Sequence, residues 1–459
     1  MLFLLPCIYL FSFLQALYRL LKKQPQYILV FFVIGLPIYF TSLSLTYQYG
    51  FERLVPVFQS FKELIVLITL CWLVFVKKRV IVLRLPDKLM IAYLLYTFLY
   101  VLFPLGNFGF VDKLLALKGL SFFPLIYFTG RYMIPEMVPM KHIFHYICLV
   151  AILATIVLGW EVWQYQHLQT LTGYAEYNER FFGAEPSGNF GLSWTFETSN
   201  GLKRFASFYG GPLELGANMI LTLAACLAVV TTDDHRIKMN RIIFITLITS
   251  TLAIFFAISR ASLVSYFAIL YLYAIITGKR QWLRIFHYAL LAAIIFIAFY
   301  IKGDIYELVI TTINFTDNSS AFHVLQWLEG LNAISTNPLG LGLGMSGRVA
   351  ATTGDNIGGE NQLIIIGVQT GIIAMLIYLA LYIWIIQYSI RVFKRSTGKI
   401  KRLALCILLT KIGLIIPTLT ANVEAYVYIS YFTWFCTGLL VTMEDITKTK
   451  NIVFSDAAA

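Results

Sequence analysis

The stretch IIFITLITSTLAIFFAISRASLVSYFAILYLYAII, Ile242–Ile276, carries one charged residue, Arg260, in about 35 positions. A bilayer core has no water for backbone amides, so apolar runs that enter it must be helical, at roughly 20 residues per crossing. The stretch is close to two crossings, and Ser259-Arg260 marks a tight reversal between them. Much of the remaining chain follows the same rule, and 59% hydrophobic against 13% charged residues is too little charge to clothe a soluble globule of 459 residues.

The chain therefore reads as an all-α, polytopic integral membrane protein. Spans fall near 1–20, 27–48, 57–76, 88–104, 113–130, 142–164, 212–231, 241–258, 261–278, 284–301, 362–387, 402–419 and 425–442. That makes thirteen transmembrane helices, or twelve if the first does not cross. The first run, with Arg19, Lys22 and Lys23 behind it, looks like a retained helix rather than a cleaved signal. Alternating sides puts 24 of the 35 Lys and Arg residues on one face, which is then cytoplasmic. This clustering at helix ends also accounts for the +12 net charge without nucleic acid. The six cysteines, Cys7, Cys71, Cys148, Cys226, Cys406 and Cys436, sit in apolar runs with neither metal-site nor disulfide spacing. The spans form one transmembrane domain, with two long extracytoplasmic loops, 165–211 and 302–361, on the opposite, acidic face.

Polar chemistry is concentrated in those loops. Arg180, Lys203, Arg204, Arg260, Lys302 and Arg348 break the positive-inside pattern by lying there. Snorkelling to headgroups or pairing with a carboxylate is the plain alternative, above all for Arg180, Lys302 and Arg348. Lys118 and Lys411 fall inside spans, where an unpaired Lys costs roughly 3 kcal/mol. Snorkelling explains Lys411, whereas Lys118 lies mid-run in Leu114–Phe128 and is a candidate for the site. The first loop is rich in aromatics, which suit sugar faces or an interface belt equally.

Arg204 stands shortly before a helix N-terminus, where free amides favour an anion. Arg260 fits a phosphate or pyrophosphate fork better than a Lys would. In the second loop, Ala321–Ile334 reads as an amphipathic helix with His323, Trp327, Leu331 and Ile334 on one face. Ser319 or Ser320 is placed to cap it, and Asn337-Pro338 to end it. Gly340-Leu-Gly-Leu-Gly344 has neither the Lys of a phosphate-binding loop nor the strand of a dinucleotide fingerprint. Glu360-Asn361 then opens the eleventh span, where low dielectric raises a carboxylate toward a useful base and a helix N-terminus opposes that.

The order Arg204, Ser259-Arg260, His323-x3-Trp327, Asn337-Pro338-x-Gly340-x-Gly342, Glu360-Asn361 and Gly371 resembles the O-antigen ligase and Wzy-type O-antigen polymerase superfamily. The likeness covers about residues 200–375. It implies a GT-C-like membrane glycosyltransferase, with no metal and no nucleotide sugar. Its donor would be an undecaprenyl-pyrophosphate-linked oligosaccharide on the outer face of the bacterial plasma membrane. It also implies Arg260, with Arg204, on the pyrophosphate, Glu360 as general base, and inversion at the anomeric carbon. Trp327 and Asn361 stand at substrate-binding positions of the same pattern. Two departures matter. His323 occupies the place of a family Arg, so Arg204, Arg348 or Lys203 substitutes for it, or His323 itself moves protons. Glu360 replaces the ligases' His, which leans toward polymerase.

The leading reading is thus a polymerase of polysaccharide repeat units, for O-antigen, capsule or exopolysaccharide. A ligase transferring finished glycan to lipid A core stands beside it. A lipid-linked oligosaccharide flippase would carry charges through many more spans. A transferase using polyprenyl-monophosphate sugars would be marked by acids in the first outer loop, where 49–56 offers only Glu52. Membrane lipids are partners by location, and a chain-length regulator is an open one.

Overall fold

The computed structural model describes residues 2–78, 80–233, 239–300, 318–351 and 356–458. Lys302, Asp304, Glu307, Asp317 and Asp355 of the second loop lie outside them. The described chain is helical, with one isolated antiparallel bridge, Glu197 to Lys203, and no strand. It runs α1 (Leu4–Leu21), α2 (Pro25–Gln48), α3 (Glu52–Val76), α4 (Leu85–Leu102), α5 (Phe110–Ser121), α6 (Phe123–Tyr132), α7 (Met140–Gln164) and α8 (Tyr174–Phe182). There follow α9 (Pro212–Val230), α10 (Arg241–Ala257), α11 (Arg260–Ile276), α12 (Arg280–Tyr300), α13 (Asn318–Thr336), α14 (Gln362–Arg395), α15 (Gly398–Thr420) and α16 (Val427–Ala458).

Among the described residues, eight helices are long and apolar enough to cross a membrane. These are α1 to α4, α7, α9, α14 and α15, so the protein is an all-α, multi-pass membrane protein. The helices α10 and α11 are equally apolar but have 17 residues each. The span expected at 113–130 is instead two short helices, α5 and α6, parted at Phe122 ahead of Pro124. The proline ring clashes with a continuing helix behind it, which explains the break.

At the centre lies α9, whose side chains are buried almost from end to end against α7, α10, α11 and α15. A helix without a polar face belongs in a protein core or in lipid, and here neighbouring helices enclose it. Away from the loops, one charged cluster rivets the bundle. Arg131 of α6, 1% exposed, donates from Nε to Asp87 (3.2 Å) and from Nη2 to Asp445 (2.7 Å) and the Val82 carbonyl (2.9 Å). Its Nη1 reaches Thr442 Oγ1 at 3.1 Å. Lys411, expected to snorkel, is 2% exposed, with Nζ 3.9 Å from the Trp434 ring. It is held inside the bundle by that aromatic face.

The helix α14 is two helices meeting at Gly371, whose backbone (φ 78°, ψ 177°) is not helical. The broken ends are closed by the Asn337–Gly344 turn. Leu341 N–H donates to the Val368 carbonyl (2.7 Å) and Gly342 N–H to that of Gln369 (3.1 Å), while Ile372 N–H donates to the Pro338 carbonyl (2.9 Å). A side chain at Gly371 would sit 2.5 Å from the Pro338 oxygen, in a backbone region L-residues avoid. The Asn-Pro-x-Gly-x-Gly motif is therefore a splint for a broken membrane helix.

Candidate functional site

Two segments far apart in sequence build the cationic corner. Ile258 turns left-handed (φ 45°), Ser259 follows, and Arg260 is the first residue of α11. The end of the first loop is fastened beside it, because Phe205 N–H donates to the carbonyl of Phe256 at 3.2 Å. Glu161, at the end of α7, accepts from Leu168 N–H (2.8 Å) and Ser207 N–H (2.7 Å), so one carboxylate ties both ends of that loop. Arg204 is thereby fixed by its own N–H to the Phe196 carbonyl (2.9 Å), and its Nε is buried without a hydrogen-bond partner. Burial, and then the like charge of Arg260, push the Arg204 guanidinium down to about 10, against the pull of Glu360. A half-buried guanidinium with a buried open donor can accept an anion as its partner.

Glu360 reaches this corner from the second loop. Gly358 and Gly359 turn left-handed (φ 78° and 64°) beneath α13 and deliver it just ahead of α14. Burial raises its carboxyl above the usual range, and Arg204 holds it partly down. Asn361 next to it is the N-cap of α14, its Oδ1 accepting from Leu363 N–H (2.9 Å) and Ile364 N–H (3.3 Å). Glu360 also lines a cavity of about 350 Å³ with Glu214, Arg348, Tyr174, Asn422 and Tyr426.

The remaining expected residues divide. Arg348 stands on the wall of that cavity, its guanidinium 3.7 Å from the Phe182 ring centre. Lys118 lines an adjoining cavity and pairs with Glu63 at 3.3 Å. Lys203 donates to the Tyr165 carbonyl at 2.6 Å and lies over the Tyr165 and Phe190 rings, so its ammonium is spent on loop structure. Arg180 pairs with Glu52 at 2.7 Å. Trp327 packs over Ile364 and Val368, with its indole nitrogen buried and unpartnered, and half-buried His323 lies one turn before it. Leu331, expected on that face, is 52% exposed; Gly330 takes the inward position, because α13 packs too closely on Ile364 for a side chain there. The helix starts at Asn318, which puts Ser319 and Ser320 inside it rather than at the cap.

The sequence reading missed Lys62-Glu63 and Glu214, both in apolar runs. An adjacent Lys-Glu pair in Val55–Cys71 was the available signal, since paired charges inside a span need a polar cavity. Among the described residues, no three His, Cys, Asp or Glu side chains converge to hold a metal.

Residues 245–379 match the family model described as O-antigen ligase. The match contains Ser259-Arg260, Trp327, the Asn337–Gly344 splint, Glu360 and the Gly371 break, and leaves out Arg204. No curated protein matches the chain. The resemblance read from the motifs thus stands on a separate match. Over this stretch the chain is similar to the O-antigen ligase family.

Proposed function

We propose that the protein joins lipid-pyrophosphate-linked oligosaccharide repeat units into a polysaccharide, at a site on the extracytoplasmic side of the plasma membrane. The observation that carries this reading is that Arg204 lies close enough to both Arg260 and Glu360, from separate parts of the chain, for the charge of each to act on it. Arg204 and Arg260 bind the donor's pyrophosphate. Glu360 accepts the proton of the acceptor hydroxyl as its oxygen bonds to the donor's anomeric carbon. The bond from that carbon to the pyrophosphate oxygen breaks, and the lipid pyrophosphate leaves with the electron pair, its charge held by the two guanidiniums. Attack opposite the leaving group inverts the anomeric centre.

The electrostatics supply an order of events. Without donor, burial already raises the Glu360 carboxyl and Arg204 offsets part of that rise; a bound pyrophosphate neutralises the offset, so its proton affinity rises further. The base gains strength once the donor is in place. The test is purified protein given a single lipid-linked repeat unit as both donor and acceptor. A ladder of products is expected, lost in Arg260→Ala and reduced at least ~100-fold in Glu360→Gln. Transfer to lipid A core with no ladder would make it a ligase, and full activity in Glu360→Gln would remove the base.

A further inference from the structure

Beside the Glu360 cavity lies a larger one of about 610 Å³ that the reaction above does not use. Both are lined by Phe40, Phe182, Arg348 and Asn422, so Arg348 stands where they meet. The deeper wall carries Lys62 and Glu63 of α3 and Lys118 of α5.

An ammonium has three protons to donate. Those of Lys62 go to Tyr39 Oη (2.8 Å), the Gln59 carbonyl (2.9 Å) and Glu63 Oε1 (2.9 Å), so it is fully engaged. Lys118 meets the same Oε1 at 3.3 Å, with its side chain 46% exposed, and keeps donors for the cavity. Arg348 lies flat on Phe182, and no carboxylate pairs with it among the described residues. Lys62 and Lys118 thus share one carboxylate, and Arg348 has none among the described residues. Of the other charges on the wall, Arg180 pairs with Glu52, and Glu424 keeps its charge while both its oxygens accept from the neutral donors Tyr378, Ser430 and Trp434. Asp112 and Glu179 are exposed, where solvent screens them. The rest of the wall mixes amides such as Gln362 and Asn422 with the rings of Phe40, Phe182 and Tyr431, groups that suit sugar hydroxyls and C–H faces.

We propose that this second cavity binds an anionic saccharide, the acidic part of the acceptor glycan, through Lys118 and Arg348. The assignment rests on the reading that places the acceptor hydroxyl at Glu360, because Arg348 borders both spaces. It makes the substrate class an acidic repeat unit.

The test is binding to the full-length protein in detergent, with hyaluronan tetrasaccharide as acidic probe and chitotetraose as neutral probe. The acidic probe should bind about tenfold tighter or better. That preference should collapse in Arg348→Gln and in Lys118→Gln, persist in Lys118→Arg, and persist in Arg260→Ala, which disables the donor corner. Equal binding of the two probes, or a preference that survives both Gln variants, overturns the proposal. Farnesyl pyrophosphate is the third arm. If its binding is lost in Arg348→Gln and kept in Arg260→Ala, the cavity takes the lipid pyrophosphate and the saccharide assignment fails. Because binding is read without turnover, failure of the catalytic reading shows separately, as unchanged polymer in Arg260→Ala.

Discussion

Arg131 is buried and Arg204 half-buried with its Nε closed off from solvent, and they differ in what meets them. Arg131 finds two carboxylates, a hydroxyl and a carbonyl, and every nitrogen of its guanidinium has a partner. Arg204 is pushed by the charge of another arginine and pulled by one carboxylate, Glu360, and its Nε has no hydrogen-bond partner. Burial alone therefore does not mark a functional cation. What sets Arg204 apart is its unmet donor, because desolvation without a compensating hydrogen bond is costly.

The sharpest way to break the contrast is to remove each arginine in turn. Arg131→Ala leaves Asp87 buried and unpaired and should cost about 3–5 kcal/mol, read as a lower melting temperature in detergent and less protein in the membrane. Arg204→Ala removes a repelled charge, so melting should hold or rise while polymer synthesis falls ~100-fold or more. A destabilised Arg204→Ala would make both arginines structural. Smaller in effect is Gly371→Ala, which forces a side chain into a left-handed position against Pro338 and should cost about 1–3 kcal/mol. Unchanged melting would show that the splint tolerates a continuous helix. The subtlest is a pH profile. Glu360 works only when ionised, and its folded value is raised, so kcat/KM should fall with decreasing pH at a midpoint above that of an ordinary carboxylate. In Arg204→Ala the midpoint should move further up, since the group that holds it down is gone; no movement would separate the two residues.

The helical character and most span positions were legible because each depends on local pattern, and Arg204, Arg260 and Glu360 stood out as candidates for the same reason: an apolar run, a charge that breaks it, or a residue at a helix mouth. What stayed hidden depends on tertiary contact. Nothing near Leu331 announces that Gly330 takes the inward face. Lys411 reads as a snorkelling residue until Trp434, more than twenty positions on, is folded over it. The role of Asn337–Gly344 needed the carbonyls freed at Gly371 to be seen in place. Arg348, read both as a snorkelling or paired charge and as a stand-in for the family Arg, has its place on the cavity wall only once Phe182 of the other loop is brought beneath it.

The hydrogen bond from Phe205 to Phe256 has a consequence for synthesis. It closes a contact across some fifty residues, and Glu360 is added about a hundred residues later still. At 5–20 residues per second, Arg204 leaves the ribosome roughly 8–30 s before the carboxylate that faces it. The nascent chain holds an incomplete, wholly cationic corner during that interval. A translation pause or a truncation before residue 360 would thus strand two arginines together at the membrane, a defect that quality control could recognise by its charge.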